Sequence, residues 1–401
     1  AIGHYSNQFK TGETQNTYIG HYAGRGGTSV ADITPQTGEI VSTYKESTKQ
    51  VAIGFKALEG VGGATYKSDS VVAIGYKAGL LGLSNSLGQI LIGHEAGAAT
   101  STFNGGYGIG IGFAAAYQAT NSKESTFIGT YAGYGASNQK NGVYIGYGAG
   151  RNDKGGQWNT HIGDYVAYDA TNNISMSSLG QLSNRFTSNS EYGTSIGMRA
   201  GYSGFNMNYT TSVGTRAGYS GRSDFRSTFI GAYAGLSAGW QDTTNTTRGY
   251  NVAVGYTTMQ DVTGGTHNVA IGNATMYEAG KPWGGVNNTS QSKANIAQSY
   301  NTYIGNQTAQ YTRSSEYNIG IGHFAMRSGH CASENIAIGR LAAYRGSMKS
   351  GTAGGGGGRN ISIGKESFYS GTSAEDAIAI GSSASYLGGG SYNVALGRNS
   401  L

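Results

Sequence analysis

Proline is nearly missing from this chain: Pro35 and Pro282 are the only two in 401 residues. Cysteine is scarcer still. Cys331 stands alone, so no disulfide closes within the chain and stability must come from packing. Charge is thin, at 12% of residues, about half the share usual in soluble domains. No apolar stretch approaches the ~20 residues of a membrane span, and no signal peptide is visible. These absences exclude a disulfide scaffold and any helical membrane insertion by this segment. Lys and Arg are scattered, so the net charge of +6 forms no nucleic-acid patch. A mildly positive surface of this kind suits anionic glycans at most.

What is present is glycine, 70 residues of it, with 30 Tyr and 11 Phe. Chains so rich in Gly and poor in charge are often disordered, but disordered chains lack aromatic and β-branched residues. Here Tyr, Ile, Val and Thr abound, and they favour strands. The balance predicts many short strands joined by many tight turns.

The strands recur. A β-branched residue, any residue, Ile and Gly, then two variable residues and a small one, form the repeating unit. Thr17-Tyr18-Ile19-Gly20, Val51-Ala52-Ile53-Gly54, Val143-Tyr144-Ile145-Gly146 and Thr228-Phe229-Ile230-Gly231 are examples. Gly129, Gly146 and Gly163 are evenly spaced, and Gly180 falls midway between Gly163 and Gly197, so the same interval continues. The gap from Gly20 to Gly54 is twice that interval, and the gap from Gly272 to Gly305 nearly so; both are expected to hide degenerate units. A period of about 17 residues matches one solenoid coil of two strands and two turns, and is too short for a helical repeat or a propeller blade. The expected fold is all-β, a parallel β-solenoid of roughly 23 coils stacked at strand spacing. It forms one continuous region over 1–401. Both ends fall inside a repeat, as in a fragment of a longer polypeptide.

Residues two apart on a strand share a face. The positions one and three before the Gly are Ile, Val, Leu, Thr or Ser. They are assigned to the interior, with Ile19, Ile53, Ile74, Ile145, Ile230 and Ile338 forming a stacked core ladder. The small residue three after the Gly, such as Ala57 or Ala132, is expected to face that ladder. The Gly itself allows a bend or a positive φ. The position two before the Gly points the other way. It holds Tyr18, Phe127, Tyr144, His161, Phe229 and Tyr303 or small residues, and never a charge or an amide. This face reads as an interface with a partner chain, or else as an exposed strand face without strong polarity. Lys56, Lys77, Glu95 and Arg216, just after the Gly, should face water.

The unit Asn-Val-Ala-Ile-Gly, as at Asn268–Gly272 and Asn335–Gly339, resembles the head repeats of trimeric autotransporter adhesins (YadA-like heads). Similar repeats occur in phage tail-fibre proteins. The resemblance spans nearly the whole chain, although the period is longer here and Tyr and Thr are commoner. It implies a left-handed β-roll, a homotrimeric fibre and attachment to a cell surface. The chain would then be extracellular, in a virion tail fibre or on a bacterial surface, with a glycan or protein receptor.

Surplus residues in a coil must leave the roll as loops, and loops on a rigid scaffold often bind. Insertions are expected near 236–250, 277–300 and 343–359. Trp240 and Trp283 fall in the first two and Trp158 on the turn of a regular unit. All three are candidate ligand contacts, since exposed Trp suits glycan or protein surfaces. No converging acid, base or nucleophile recurs in register, so no catalytic, cofactor or metal site is assigned. Three copies of His161 on a threefold axis could hold a metal, although a stacked interface residue is the simpler reading. Thr194, Thr211 and Thr228 align as an ice-binding ladder would, but on the face assigned to the interior. The rival readings are a purely structural filament subunit and a fibre-borne polysaccharide-degrading enzyme.

Overall fold

The computed structural model describes residues 1–6, 15–25, 49–60, 68–80, 86–98, 107–221, 224–237, 248–262, 265–279, 298–312, 315–328, 333–345, 358–370, 374–387 and 390–400. The chain divides into two compact units, Ala1–Asn189 and Ser190–Leu401. Among the described residues every regular element is a strand.

Each unit is a stack of parallel coils. In the first, three-residue strands run from Thr17–Ile19 through Val143–Ile145 to Ser177–Leu179, each paired in parallel with the next. In the second they run from Thr194–Ile196 to Val394–Leu396. Register is strict. Phe127 sits opposite Tyr144, and Tyr144 opposite His161, so each repeat position forms its own column up the stack. Thr17 pairs directly with Val51 and Val269 with Thr302. The long gaps after Gly20 and Gly272 therefore hide no intervening coil, and there are fewer coils than the period predicts.

A coil holds one such strand of three residues, where two longer strands were expected. The rest of the turn is made of alternating left-handed residues. Tyr165, Ala167 and Asp169 have φ of 50°, 49° and 53°. Their amides alternate in direction: Tyr165 donates to Tyr147 O one coil back, Ala167 to Ser183 O one coil on, and Asp169 to Arg151 O one coil back. Backbone groups that form no continuous strand are thus paired between coils, as a buried backbone requires. The repeat Gly opens this stretch. Gly146 has φ of 132°, and a Cβ there would overlap the carbonyl of Gly163 in the next coil. No side chain is compatible with that position.

The two faces of the strand are the reverse of the expectation. In the three-residue strands the middle residue is buried and the outer two are half-buried or exposed, as in Val143–Ile145 and Thr160–Ile162. The proposed core ladder points outward: Ile19, Ile230 and Ile338 are 38%, 40% and 37% exposed, and Ile53, Ile74 and Ile145 are half-buried. The proposed interface residues Tyr18, Phe127, Tyr144, His161, Phe229 and Tyr303 fill the inside of the roll. Ala57 and Ala132, three after the Gly, are also buried, and face this inner column instead of the isoleucines.

The physical reason is volume matching across a thin roll. The inner residue of the strand faces the residue four after the Gly. Where the strand offers a ring, that second position is glycine or alanine: a Cβ at Gly24, Gly133, Gly150 or Gly235 would overlap Tyr18, Phe127, Tyr144 or Phe229, and buried Ala167 and Ala309 stand opposite His161 and Tyr303. Where the strand offers Ala253, Ala270 or Gly320, the second position is buried Met259, Met276 or Met326. Interiors are packed to near-crystalline density, so a large residue on one side forces a small one on the other.

Buried asparagines inside the roll are paired along the stack. Asn251, Asn268, Asn301, Asn318, Asn335 and Asn360 form a ladder one position before the strands. Each Oδ1 except the last accepts from the next asparagine's backbone N and Nδ2, at 3.0–3.1 Å. His161 has no hydrogen-bond partner at either ring nitrogen, and burial pushes it down to about 3. It is therefore a neutral core ring beside Tyr144, with ring centroids 5.4 Å apart. Enclosed in one chain's roll, it cannot line an axis between copies or hold a shared metal there.

Candidate interaction surfaces

The first outward surface is the sheet face itself. In both units it carries two adjacent columns, one and three residues before the repeat Gly. Ile dominates the first, with Val213, Val254, Leu179 and Leu396. Thr, Val, Ile and Ser177 make up the second. No described strand places a charged side chain on this face. Thr194, Thr211 and Thr228 lie in register here, facing outward, which corrects their interior assignment. Their neighbours on the same face are Ile196, Val213 and Ile230, so the array is apolar on one side throughout. Soluble monomers seldom expose contiguous apolar patches beyond a few hundred Å².

Aromatic columns form the second class of surface. In the first unit, the residue directly after the repeat Gly gives a stack of Phe55, Tyr76, His94 and Phe113, with centroids 5.4, 4.7 and 4.9 Å apart. Histidine recurs at this position, at His4, His21 and His323. Five residues after the Gly, Tyr and Arg intermix: Arg151 lies 5.0 Å from the Tyr134 ring and Arg185 4.8 Å from that of Tyr168. In the second unit the same position stacks Tyr344, Tyr369 and Tyr386 at 5.1 and 4.9 Å.

A longer column sits five residues before the Gly in the second unit. Tyr192 and Tyr209 stack at 5.0 Å, Tyr250 and His267 at 4.6 Å, His267 and Tyr300 at 4.8 Å, and Tyr300 and Tyr317 at 4.9 Å. Arg226 bridges the remaining gap, 5.6 Å from the Tyr209 ring and 5.5 Å from that of Tyr250. Every member is left-handed, with φ between 54° and 60°. That conformation costs a non-glycine residue about 1–2 kcal/mol. A stacked pair returns about 0.5–1.5 kcal/mol beyond its burial. The two nearly cancel, so the stack adds little to the stability of the roll. Coils elsewhere use Gly88, Asn141 or Ser175 at this position, residues that suit a left-handed turn. The sequence reading missed all three columns. The signal was there: aromatic residues recurring at one fixed offset from successive repeat glycines.

Of the candidate ligand contacts, Trp158 is 57% exposed at φ 52°, in the same repeat position as the long column but in the first unit. Trp240 and Trp283 lie outside the described residues, as do most of the expected insertions near 236–250, 277–300 and 343–359. Charges after the Gly reach water as expected: Lys77 pairs with Glu95 of the next coil at 3.6 Å, and its ammonium is pushed up by its hydrogen bond to Tyr76 and by Glu95. Among the described residues no cluster of His, Cys, Asp and Glu could hold a metal ion. No described helix is long and apolar enough to cross a membrane. No protein-family model matches the chain, and no curated protein is similar to it.

Proposed function

We propose that this chain is a segment of an extracellular attachment fibre in which three copies pack through their outward Ile, Val and Thr columns. The observation that carries this reading is the uncharged, apolar sheet face repeated coil after coil on the outside of each unit. A stack with a filled interior does not need such a face for its own fold. A second copy of the same chain supports the same columns at the same spacing, which makes it the best-matched cover. The repeat's resemblance to trimeric adhesin heads and tail fibres favours three copies, an extracellular setting in a virion or on a bacterial surface, and a cell-surface glycan or protein receptor. A non-enzymatic role is part of this proposal, supported by the stacked rings and aliphatic columns that make up the surface of the described residues.

Sedimentation equilibrium tests the assembly. A mass of three chains is expected, and Ile230→Glu with Ile338→Glu should reduce it to one chain while keeping the far-ultraviolet β signal, because both side chains lie outside the roll. A stable monomer before substitution would end the assembly reading. Adhesion of the labelled chain to a panel of bacterial and animal cells tests attachment.

A further inference from the structure

The geometry points to the column from Tyr192 to Tyr317 as a binding track for a linear anionic polysaccharide, laid along the stacking direction. This rests on the attachment reading and names the receptor chemistry for it.

The rings stack face to face, so their electron-rich faces are occupied by one another. What remains toward water is ring edges, which carry the positive end of the aromatic quadrupole, and phenol O–H groups, which donate. The tyrosines here are 44–54% exposed. Arg226 adds a full positive charge in the middle of the column, and its Nη1 donates to Tyr250 Oη at 2.8 Å, which fixes the guanidinium in place. His267 adds a nitrogen-bearing ring one coil on from Tyr250. No carboxylate occupies a column position from Tyr192 to Tyr317; Glu191 and Glu316 flank its two ends and Glu334 stands on the next rung. The centre of the track is thus cationic and rich in donors, and its complement is an anion with many acceptors.

Regularity selects the kind of anion. The rungs are held by the backbone: Tyr209 N donates to Glu191 O at 2.8 Å, Arg226 N to Asn208 O at 2.9 Å and Tyr300 N to Thr266 O at 2.9 Å. The ring spacing stays between 4.6 and 5.0 Å wherever two rings stack. A rigid row of equivalent donors at strand spacing is matched by a polymer that presents the same groups unit after unit, and binding it requires little reordering of the protein. A sugar chain bearing carboxylates meets both requirements.

The test measures binding of the 401-residue chain to size-defined polygalacturonate and to neutral dextran by biolayer interferometry, at low and at physiological salt. Saturable binding to the uronate polymer is expected, at least ten-fold tighter than to dextran and weakened by salt. Arg226→Ala combined with Tyr250→Ala should weaken it at least ten-fold with an unchanged melting curve. Lys56→Ala with Lys77→Ala, which removes more charge elsewhere, should leave it within two-fold, as should Tyr369→Ala in another stack. Equal affinity for the two polymers, or equal losses from the control variants, would overturn the track. Cell adhesion separates the two readings. If the unsubstituted chain adheres and the Arg226/Tyr250 variant adheres equally, the track falls and attachment stands. If the chain binds the uronate polymer but no cells, the track stands and attachment falls.

Discussion

Tyr144 Oη lies 3.0 Å from Asp153 Oδ2, wholly inside the roll. The same hydroxyl is 2.5 Å from Gln139 Oε1, so one phenolic proton meets two acceptors. A protonated Asp153 resolves the conflict: its acid O–H donates to Tyr144 Oη, and Tyr144 donates to Gln139. Burial favours the same state and raises Asp153 from 3.8 to about 7.

The sign of the pH dependence follows. The folded chain holds this proton more tightly than the unfolded chain, which releases it near 3.8. Stability is therefore undiminished below about pH 4 and falls as pH rises toward 7. Asp153→Asn keeps a donor toward Tyr144 without an ionisable group. It should melt with the unsubstituted chain at pH 4 and above it at pH 8, by up to a few kcal/mol. Melting temperatures at the two values check this, and equal differences at both would refute a protonated Asp153.

Gly146→Ala and Gly148→Ala differ by two positions and should differ widely in effect. Gly146 has φ of 132° and faces the Gly163 carbonyl, so any Cβ collides with backbone that cannot move aside. Gly148 has φ of 60°, and its column holds Tyr131 and Tyr165 in neighbouring coils. Alanine at Gly148 should cost no more than about 1–2 kcal/mol. At Gly146 it should open the coil, seen as rapid amide exchange from 143 to 163.

The period, the parallel stacking and the role of the repeat Gly were all legible in the sequence, because a glycine that recurs at one fixed interval, as from Gly129 through Gly146 to Gly163, leaves few alternatives. Which strand face lies inside was not. Val-Ala-Ile reads most simply with its large residues buried. Here the roll is so thin that Ala253 or Ala270 fills it together with a methionine, and the isoleucines stay outside. The clue lay within single repeats. Phe127 precedes Gly133 at the same remove as Ala270 precedes Met276, and that exchange of volume marks two positions that face each other. Coil count was misjudged for a different reason, since spacing alone does not separate a degenerate coil from an excursion between paired coils.

Phe229→Ala and Ile230→Ala test the inverted faces directly. Phe229 is enclosed against Gly235, and its loss should cost about 3–5 kcal/mol through the cavity left behind. Ile230 is 40% exposed, so its truncation should hardly alter the fold of one chain. Its effect should appear in self-association instead. Melts of dilute protein and sedimentation at several concentrations would distinguish the two, and a larger loss of fold stability at Ile230 would restore the original assignment.

Asn301 joins both of its neighbours in the asparagine ladder. Its Oδ1 accepts from Asn318 N and Nδ2 at 3.0 and 3.1 Å, and its Nδ2 donates to Asn268 Oδ1 at 3.1 Å and to Ser315 O at 2.8 Å. Asn301→Ala removes all of these from a site that water does not reach, and a buried polar group left without its partner costs about 1–3 kcal/mol. The damage should stay local, because each asparagine binds only the rungs on either side. Amide exchange should accelerate at Asn318, whose N–H loses its acceptor, and remain slow at Asn360, whose acceptor Asn335 Oδ1 is untouched. Asn301→Gln keeps the same groups but adds a methylene that the thin interior does not accommodate, so it should not restore protection. Uniform acceleration along the whole ladder would mean that the coils open together, and that the roll is held by its shared core and not rung by rung.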